Sequence, residues 1–353
     1  MRRTPRLRWM SALLTLPFII VACSDEAPTA LDSVTRGGPT LAAAKAQNAK
    51  AQNQESLRQE LTQILDDVNG RLDLGGADLR AALITTIGTP EEQGITVLWR
   101  DVGNKHLGID FVPGDPRRMA GSPEGGWSPD PNQILFAIDT GDGATLNGVG
   151  LAATTQQIRE AMATWDAENC SNLNLTEVPA GGDLGLLAFL LTGGAPGFGG
   201  PNVVADIQHA GWLELEAGMT TIAFTVPFIW VDGATGVPTD IDNNRELDYA
   251  FAEIYYDAFC QGCLVPGPWI WTVDDDANTP GILDIDIQSV ALHEAGHGLS
   301  QAHFGKGFLT DSNGKLHLSP NSVMKASYVD PIHELHGSDN GGHCSLWGSW
   351  PQN

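Results

Sequence analysis

The sequence predicts an α+β fold on three observations. Runs rich in β-branched and aromatic residues recur at 134–138, 173–178, 203–207 and 220–226, the pattern of strands. After the first of them, Ile158, Ala161, Met162 and Trp165 fall at i, i+3, i+4 and i+7, one apolar face of a helix. Near the C-terminus, His293 and His297 stand four residues apart. On a second helix that spacing projects both imidazoles from one face.

The chain opens with Arg2, Arg3, Arg6 and Arg8 ahead of an apolar run over 10–22, which reads as a signal peptide. The run ends Ile20-Val21-Ala22-Cys23, similar to a bacterial lipobox. That resemblance makes Cys23 the lipidated first residue of an exported protein held at the cell envelope. The run is short for a spanning helix; the other reading is a cleaved signal with an incidental cysteine and a secreted product. Ser24 suits outer-membrane sorting, by resemblance to Gram-negative lipoproteins. Residues 23–55, rich in Ala, Gln, Asn, Ser and Thr, read as a flexible tether.

Ser56 with Gln59 has the pattern of a capping box, and Leu57, Leu61, Ile64 and Leu65 follow at helical spacing. Residues 56–128 read as an accessory region or pro-region, with a Pro- and Gly-rich boundary over 113–131. Within it, Phe111-Val112-Pro113-Gly114-Asp115 reads as a plain turn. It is also one residue off the aspartate-bearing motif by which astacin prosegments block zinc.

Residues 129–353 read as the functional domain, starting with the strand at 134–138. The Gly-rich stretch 181–200 reads as an insertion, either a mobile rim or a disordered surface loop. The aromatic run 247–258 reads as core, and Trp212, Trp230, Trp269 and Trp271 as core or rim packing. Asp240, Asp242, Asn243, Asn244 and Asp248 form an oxygen-rich loop, as do Asp274, Asp275 and Asp276. Calcium takes six or more oxygens, and neither loop has the EF-hand spacing. Structural Ca²⁺ and solvated acidic turns both stand open.

The strongest signal is His293-Glu294-Ala295-Gly296-His297-Gly298-Leu299-Ser300-Gln301-Ala302-His303. Three histidines give a zinc ion three nitrogen ligands and leave a fourth position for water, the arrangement of a catalytic rather than a structural site. Glu294 sits one position round the helix, able to act on that water without being a ligand. His303 lies too far along to share the helical face, so the chain must turn after Leu299. His317, His333, His336 and His343 read as surface histidines, and His106 and His209 carry no motif.

This segment resembles the zinc signature of the metzincin metallopeptidases, H-E-x-x-H-x-x-G-x-x-H followed by a Met-turn. Ser322-Val323-Met324-Lys325-Ala326-Ser327-Tyr328 is similar to that Met-turn, and the tyrosine four residues after the methionine resembles the matrixin-like branch. The run from Asp286 to Leu292 resembles the approach to the matrixin active-site helix, and the stretch from Gly337 to Gly348 its C-terminal helix. Ser300 stands where the family has glycine, so the turn is strained or shifted toward Gly298. The span from His303 to Met324 is long and implies an inserted loop.

The resemblance implies a twisted mixed sheet, an active-site helix and a small C-terminal part carrying His303 and Met324. It implies a zinc endopeptidase: His293, His297 and His303 as ligands, Glu294 as general base, Met324 as hydrophobic floor. It further implies that the strand at 220–226 is the sheet edge along which an extended peptide lies. The alternatives are a non-catalytic zinc-containing surface lipoprotein and a zinc hydrolase acting on another bond.

Charge and cysteines bound the partners. The chain carries 43 acidic and 19 basic residues, for a net charge of −24. Such a surface repels nucleic acid and anionic membrane, so neither is an expected partner; a protein or peptide substrate is what the metzincin resemblance implies. Oligomeric state is not legible. After Cys23 stand Cys170, Cys260, Cys263 and Cys344, and an even count in an oxidising compartment points to disulfides. Cys260–Cys263 with Cys170–Cys344 is the favoured pairing among three, and a second zinc site is the other use.

Overall fold

The computed structural model describes residues 41–89, 93–98, 106–141, 149–213, 221–258, 269–273, 283–309 and 316–352. The signal-peptide and Cys23 expectations, the Asp274–Asp276 loop and the Cys260–Cys263 pair lie outside them. By contacts, Ala46–Asn353 form one compact unit.

In chain order the elements are α1 (Leu41–Gly75), β1 (Leu79–Ala81), β2 (Leu83–Gly88), β3 (Thr96–Leu98), β4 (Ile109–Asp110), β5 (Ile134–Ile138), α2 (Leu151–Asp166) and β6 (Leu175–Glu177). There follow α3 (Leu186–Thr192), β7 (Ile207–Leu213), β8 (Thr221–Trp230), β9 (Leu247–Asp257), β10 (Trp269–Thr272), β11 (Leu283–Asp286), α4 (Ile287–Gly298), β12 (Lys306–Leu309), β13 (Leu316–Ser319) and α5 (Gly337–Trp347). This is a mixed α/β chain around one mixed sheet.

The sheet runs β3-β2-β8-β9-β7-β5-β6, with β1 also on β8 and β4 on β9. β5, β6, β7 and β9 are parallel, while β8 is antiparallel to β9 and β2 antiparallel to β8. Both faces are covered, which is why β8 and β9 are buried along their whole length. In β5, Ile134, Phe136 and Ile138 face the cluster of α2 and α4, while Leu135 and Ala137 face that of α1 and α3. From α1, Leu61, Leu65, Val68 and Leu72 enter the second cluster at helical spacing. Full burial of each stabilises the fold by about 1.5–3 kcal/mol.

Several expectations shift. The helix expected from Ser56 begins at Leu41, inside the expected tether. Within the region expected to be accessory, Leu79–Ala81, Leu83–Gly88 and Thr96–Leu98 are strands of the main sheet. Of the strand expected at 203–207 only Ile207 is strand: β7 begins there and runs to Leu213, where Gln208, His209 and Gly211 lower the propensity signal. Inside 181–200 sits α3, whose first N–H groups, those of Leu186 and Leu187, donate to buried Glu253 at 2.5 and 2.9 Å. Its Leu-Leu-Ala-Phe-Leu-Leu run was the missed helical signal. The long span after His303 holds the hairpin β12–β13. The four tryptophans are buried. Cys170 and Cys344 are joined by a disulfide, Cα atoms 5.5 Å apart, tying α5 to the chain after α2.

Candidate metal centre

α4 carries Ile287, Val290, Ala291, Leu292 and Ala295 beside His293, Glu294 and His297, and the structure buries all of it. Asp286 caps it, accepting from Ser289 N–H at 2.7 Å and from the Ser289 hydroxyl at 2.6 Å. His333 Nε2 adds a third contact to the same oxygen at 2.8 Å. Gly296 is required where α4 crosses Met324: a Cβ there would lie 2.3 Å from Met324 Sδ and 2.9 Å from Trp165. Met324 is therefore fully buried directly against the helix, between the turns that carry His293 and His297.

The helix ends at Ser300, which takes φ +67°. Ser300 N–H donates to His297 O at 2.9 Å and Gln301 N–H to Gly296 O at 2.9 Å, the two bonds of a Schellman turn. Glycine normally fills that left-handed position. The strain thus sits on Ser300 itself and is not shifted to Gly298, which stays in the helix. The turn sends the chain back so that His303 faces its two partners.

The three Nε2 atoms converge. His297 Nε2 lies 3.0 Å from His293 Nε2 and 3.2 Å from His303 Nε2. His293 Nδ1 lies 2.7 Å from Val323 O, and His297 Nδ1 lies 2.7 Å from Gln301 O. A carbonyl only accepts, so both Nδ1 atoms carry hydrogen. Burial pushes the His293 pKa down to about 4 and that of His297 well below the ordinary value, so neither ring holds a second proton near neutrality. Two Nε2 lone pairs therefore face each other at 3.0 Å. They repel unless a cation lies between them, and the donor set fits one.

Glu294 is fully buried. The Thr225 hydroxyl donates to its Oε2 at 2.5 Å. Burial raises its pKa to about 8, against the opposing pull of Thr225 and of the Ile87 N–H. The Met324 turn is fixed by Asp339, at the start of α5, which accepts from Val323 N–H at 2.9 Å and Met324 N–H at 3.1 Å.

The structure thus brings the three predicted histidines together, with Glu294 on the same helix held by Thr225. Sequence reasoning missed Thr225, Asp339, Thr85 and Thr96. The Thr85 hydroxyl lies 3.3 Å from His297 Nε2, and that of Thr96 lies 3.4 Å from His303 Nδ1. Only Asp339 had a signal, as an acidic residue in the first turn of the final helix. The surface reading is corrected for His343, while His333 and His336 are part-exposed. His343 is buried beside Trp165, 3.0 Å from the Ser171 hydroxyl. His333 pairs with Asp286, and His336 donates its N–H to Asp339 at 2.9 Å. His209 is buried on Tyr256. The residues around Asp115 form the plain turn, its carboxylate engaged by Arg117.

A second group of ligand type, Asp240, Asp242 and Asp248, gathers carboxylate oxygens within 4.8 Å of one another. Its oxygens are already engaged: Arg117 binds Asp248 at 2.8 Å, and Asn244 N–H and Arg245 N–H donate to Asp240. No family model matches the chain, and no curated protein matches it.

Proposed function

We propose that the chain is a zinc-dependent endopeptidase of metzincin type. The observation that carries the reading is the pair of buried imidazoles whose Nδ1–H groups are committed to Val323 O and Gln301 O, leaving Nε2 lone pairs facing at 3.0 Å. Three nitrogen ligands suit Zn²⁺ with one position open. Bound there, zinc supplies Lewis acidity for the scissile carbonyl and a lowered pKa for attacking water.

The protein's own groups do the rest. His293, His297 and His303 hold the ion, each of the first two oriented by a backbone carbonyl. Glu294 serves as general base and returns the proton to the leaving amine. The Thr225 hydroxyl fixes the rotamer of that carboxylate. Met324 packs under the helix. The α+β sheet order, the Met324 turn and the place of Ser300 support the metzincin reading together. The Asp240–Asp242–Asp248 group supports Ca²⁺ less well, since its oxygens already have partners. Export with acylation at Cys23 completes the proposal and rests on the N-terminal sequence.

The test is casein hydrolysis by the zinc-loaded full chain beside Glu294→Gln. We expect Glu294→Gln to keep its zinc and to lose about 10²–10⁴-fold in rate, the usual worth of a general base. Hydrolysis that survives this substitution would sink the reading.

A further inference from the structure

A cavity of about 560 Å³ lies against the turn that carries Ser300. One wall is the segment 106–111, held by Leu107 N–H on Ser300 O at 2.9 Å and by β4 on β9. The end of α5 with Trp350 and the loop 242–246 supply the others. None of His293, Glu294, His297 and His303 lines it.

The lining changes character from floor to mouth. Phe111, Trp347 and Trp350 are buried, whereas Asp242 and Asn244 are exposed. The two indole N–H groups are spent on Leu299 O and Asn132 O, at 3.1 and 2.9 Å. These rings therefore offer the cavity only carbon and π surface. Asp110, Asp242 and Glu246 add carboxylates to the same space.

Two oxygens of the lining lack a partner. Ser300 is 1 % exposed, and its Oγ makes no hydrogen bond. Asp110 Oδ2 accepts from Asn244 Nδ2 at 2.6 Å, but its Oδ1 is buried and unpaired. Burial pushes the Asp110 pKa up to about 7 against the pull of that bond, and the charges of Asp242, Glu246 and Asp248 add to the rise. Such a carboxylate is short of positive charge. Buried oxygens are normally paired, so these two point to a ligand that donates.

We propose that this cavity binds a free small organic cation, a primary ammonium on an apolar or aromatic body. The ammonium donates to Asp110 Oδ1 and the Ser300 hydroxyl. The body lies on Phe111, Trp347 and Trp350, whose ring faces also attract a cation. A cavity of this size encloses a whole small ligand. A bare divalent ion suits it less well. Asp110 stands outside the carboxylates that converge within 4.8 Å, and aromatic carbon gives a metal no ligand. The site does not depend on the endopeptidase reading.

The experiment is calorimetric titration of the full chain with phenethylammonium, beside its neutral counterpart 2-phenylethanol. We expect the ammonium to bind at least about tenfold more tightly than the alcohol, the worth of a hydrogen bond to a charged group. Asp110→Asn should weaken it by a similar factor. A folded Asp110→Asn that binds the ammonium as tightly as wild type overturns the site. So does wild type that binds the alcohol as tightly, or that binds neither up to about 10 mM, an affinity too weak to be specific. These two outcomes decide the matter even where the variant fails to fold. Displacement of the ammonium by about 1 mM CaCl₂ also overturns it, assigning the carboxylates to an inorganic ion.

Discussion

Two groups of three metal-ligating side chains stand in this molecule, and they differ in what their ligand atoms already touch. At His293, His297 and His303 the outer ring nitrogens of the first two are bound to carbonyls, so the inner ones are forced to face each other with lone pairs. At Asp240, Asp242 and Asp248 the carboxylates are met by Arg117 and by N–H groups of their own loop. Convergence within 4.8 Å is common to both. Only in the histidine group do lone pairs face one another at 3.0 Å, and that asks for an ion.

The largest break in this comparison is His297→Ala. It removes the central nitrogen, the one that touches both others. With structural zinc worth about 10–16 kcal/mol over four ligands, losing one should weaken binding at least about 100-fold. Competition with a fluorescent zinc chelator reads this, and unchanged affinity would mean the ion lies elsewhere.

Next comes pH. In the metal-free protein, His293 is neutral when folded down to about pH 4, whereas in the unfolded chain it takes a proton near 6.5. Between those values the unfolded state binds more protons at this ring, so its contribution to stability falls as pH drops through that window, while Glu294, raised to about 8, contributes in the opposite sense. Urea melts of the metal-free chain and of its His293→Gln variant at pH 7 and pH 5 separate the two: acidification should be the less favourable for the wild type. An equal change in both would mean that His293 is open to water.

Much of the site was legible because its spacing is local. His293 and His297 are tied by one helical turn, and His303 by the turn at Ser300. The partners that make the cluster work were not legible. Val323 O, Thr225, Thr85 and Thr96 come from elements far apart in sequence and act through a carbonyl or a hydroxyl, which carries no compositional mark. In the fold, β9 announced itself by a continuous aromatic run. β2 carries Thr85-Thr86 in its centre and a glycine at its end, so it read as accessory chain. The place of a strand in a sheet is fixed by distant partners, and periodicity along one segment says nothing of them.

Ser300→Gly sharpens the histidine side of the comparison with a smaller effect. The serine stands at φ +67°, a conformation that costs a non-glycine residue about 1 kcal/mol or more. Its buried hydroxyl has no hydrogen-bond partner. Glycine should therefore raise stability by about 1 kcal/mol with zinc affinity unchanged. A loss of stability in chemical melts would show that the turn needs the hydroxyl.

The smallest expected effect is at the acidic loop, where the comparison itself is at stake. A cation would have to displace Arg117 from Asp248 and compete with the N–H groups that already bind Asp240 and Asp242. Three carboxylates also fall short of the six or more oxygens calcium takes, so water or backbone carbonyls would have to supply the remainder. Adding 1 mM CaCl₂, roughly an extracellular module's working range, should stabilise the chain by less than about 1 kcal/mol. Binding at a hundredfold lower concentration would give about 2.7 kcal/mol. A gain of that size, abolished by Asp242→Asn, would mean that the loop gives up its internal partners for the ion. Prior engagement of ligand atoms would then not separate the two groups, and burial of the histidines alone would remain as the difference between them.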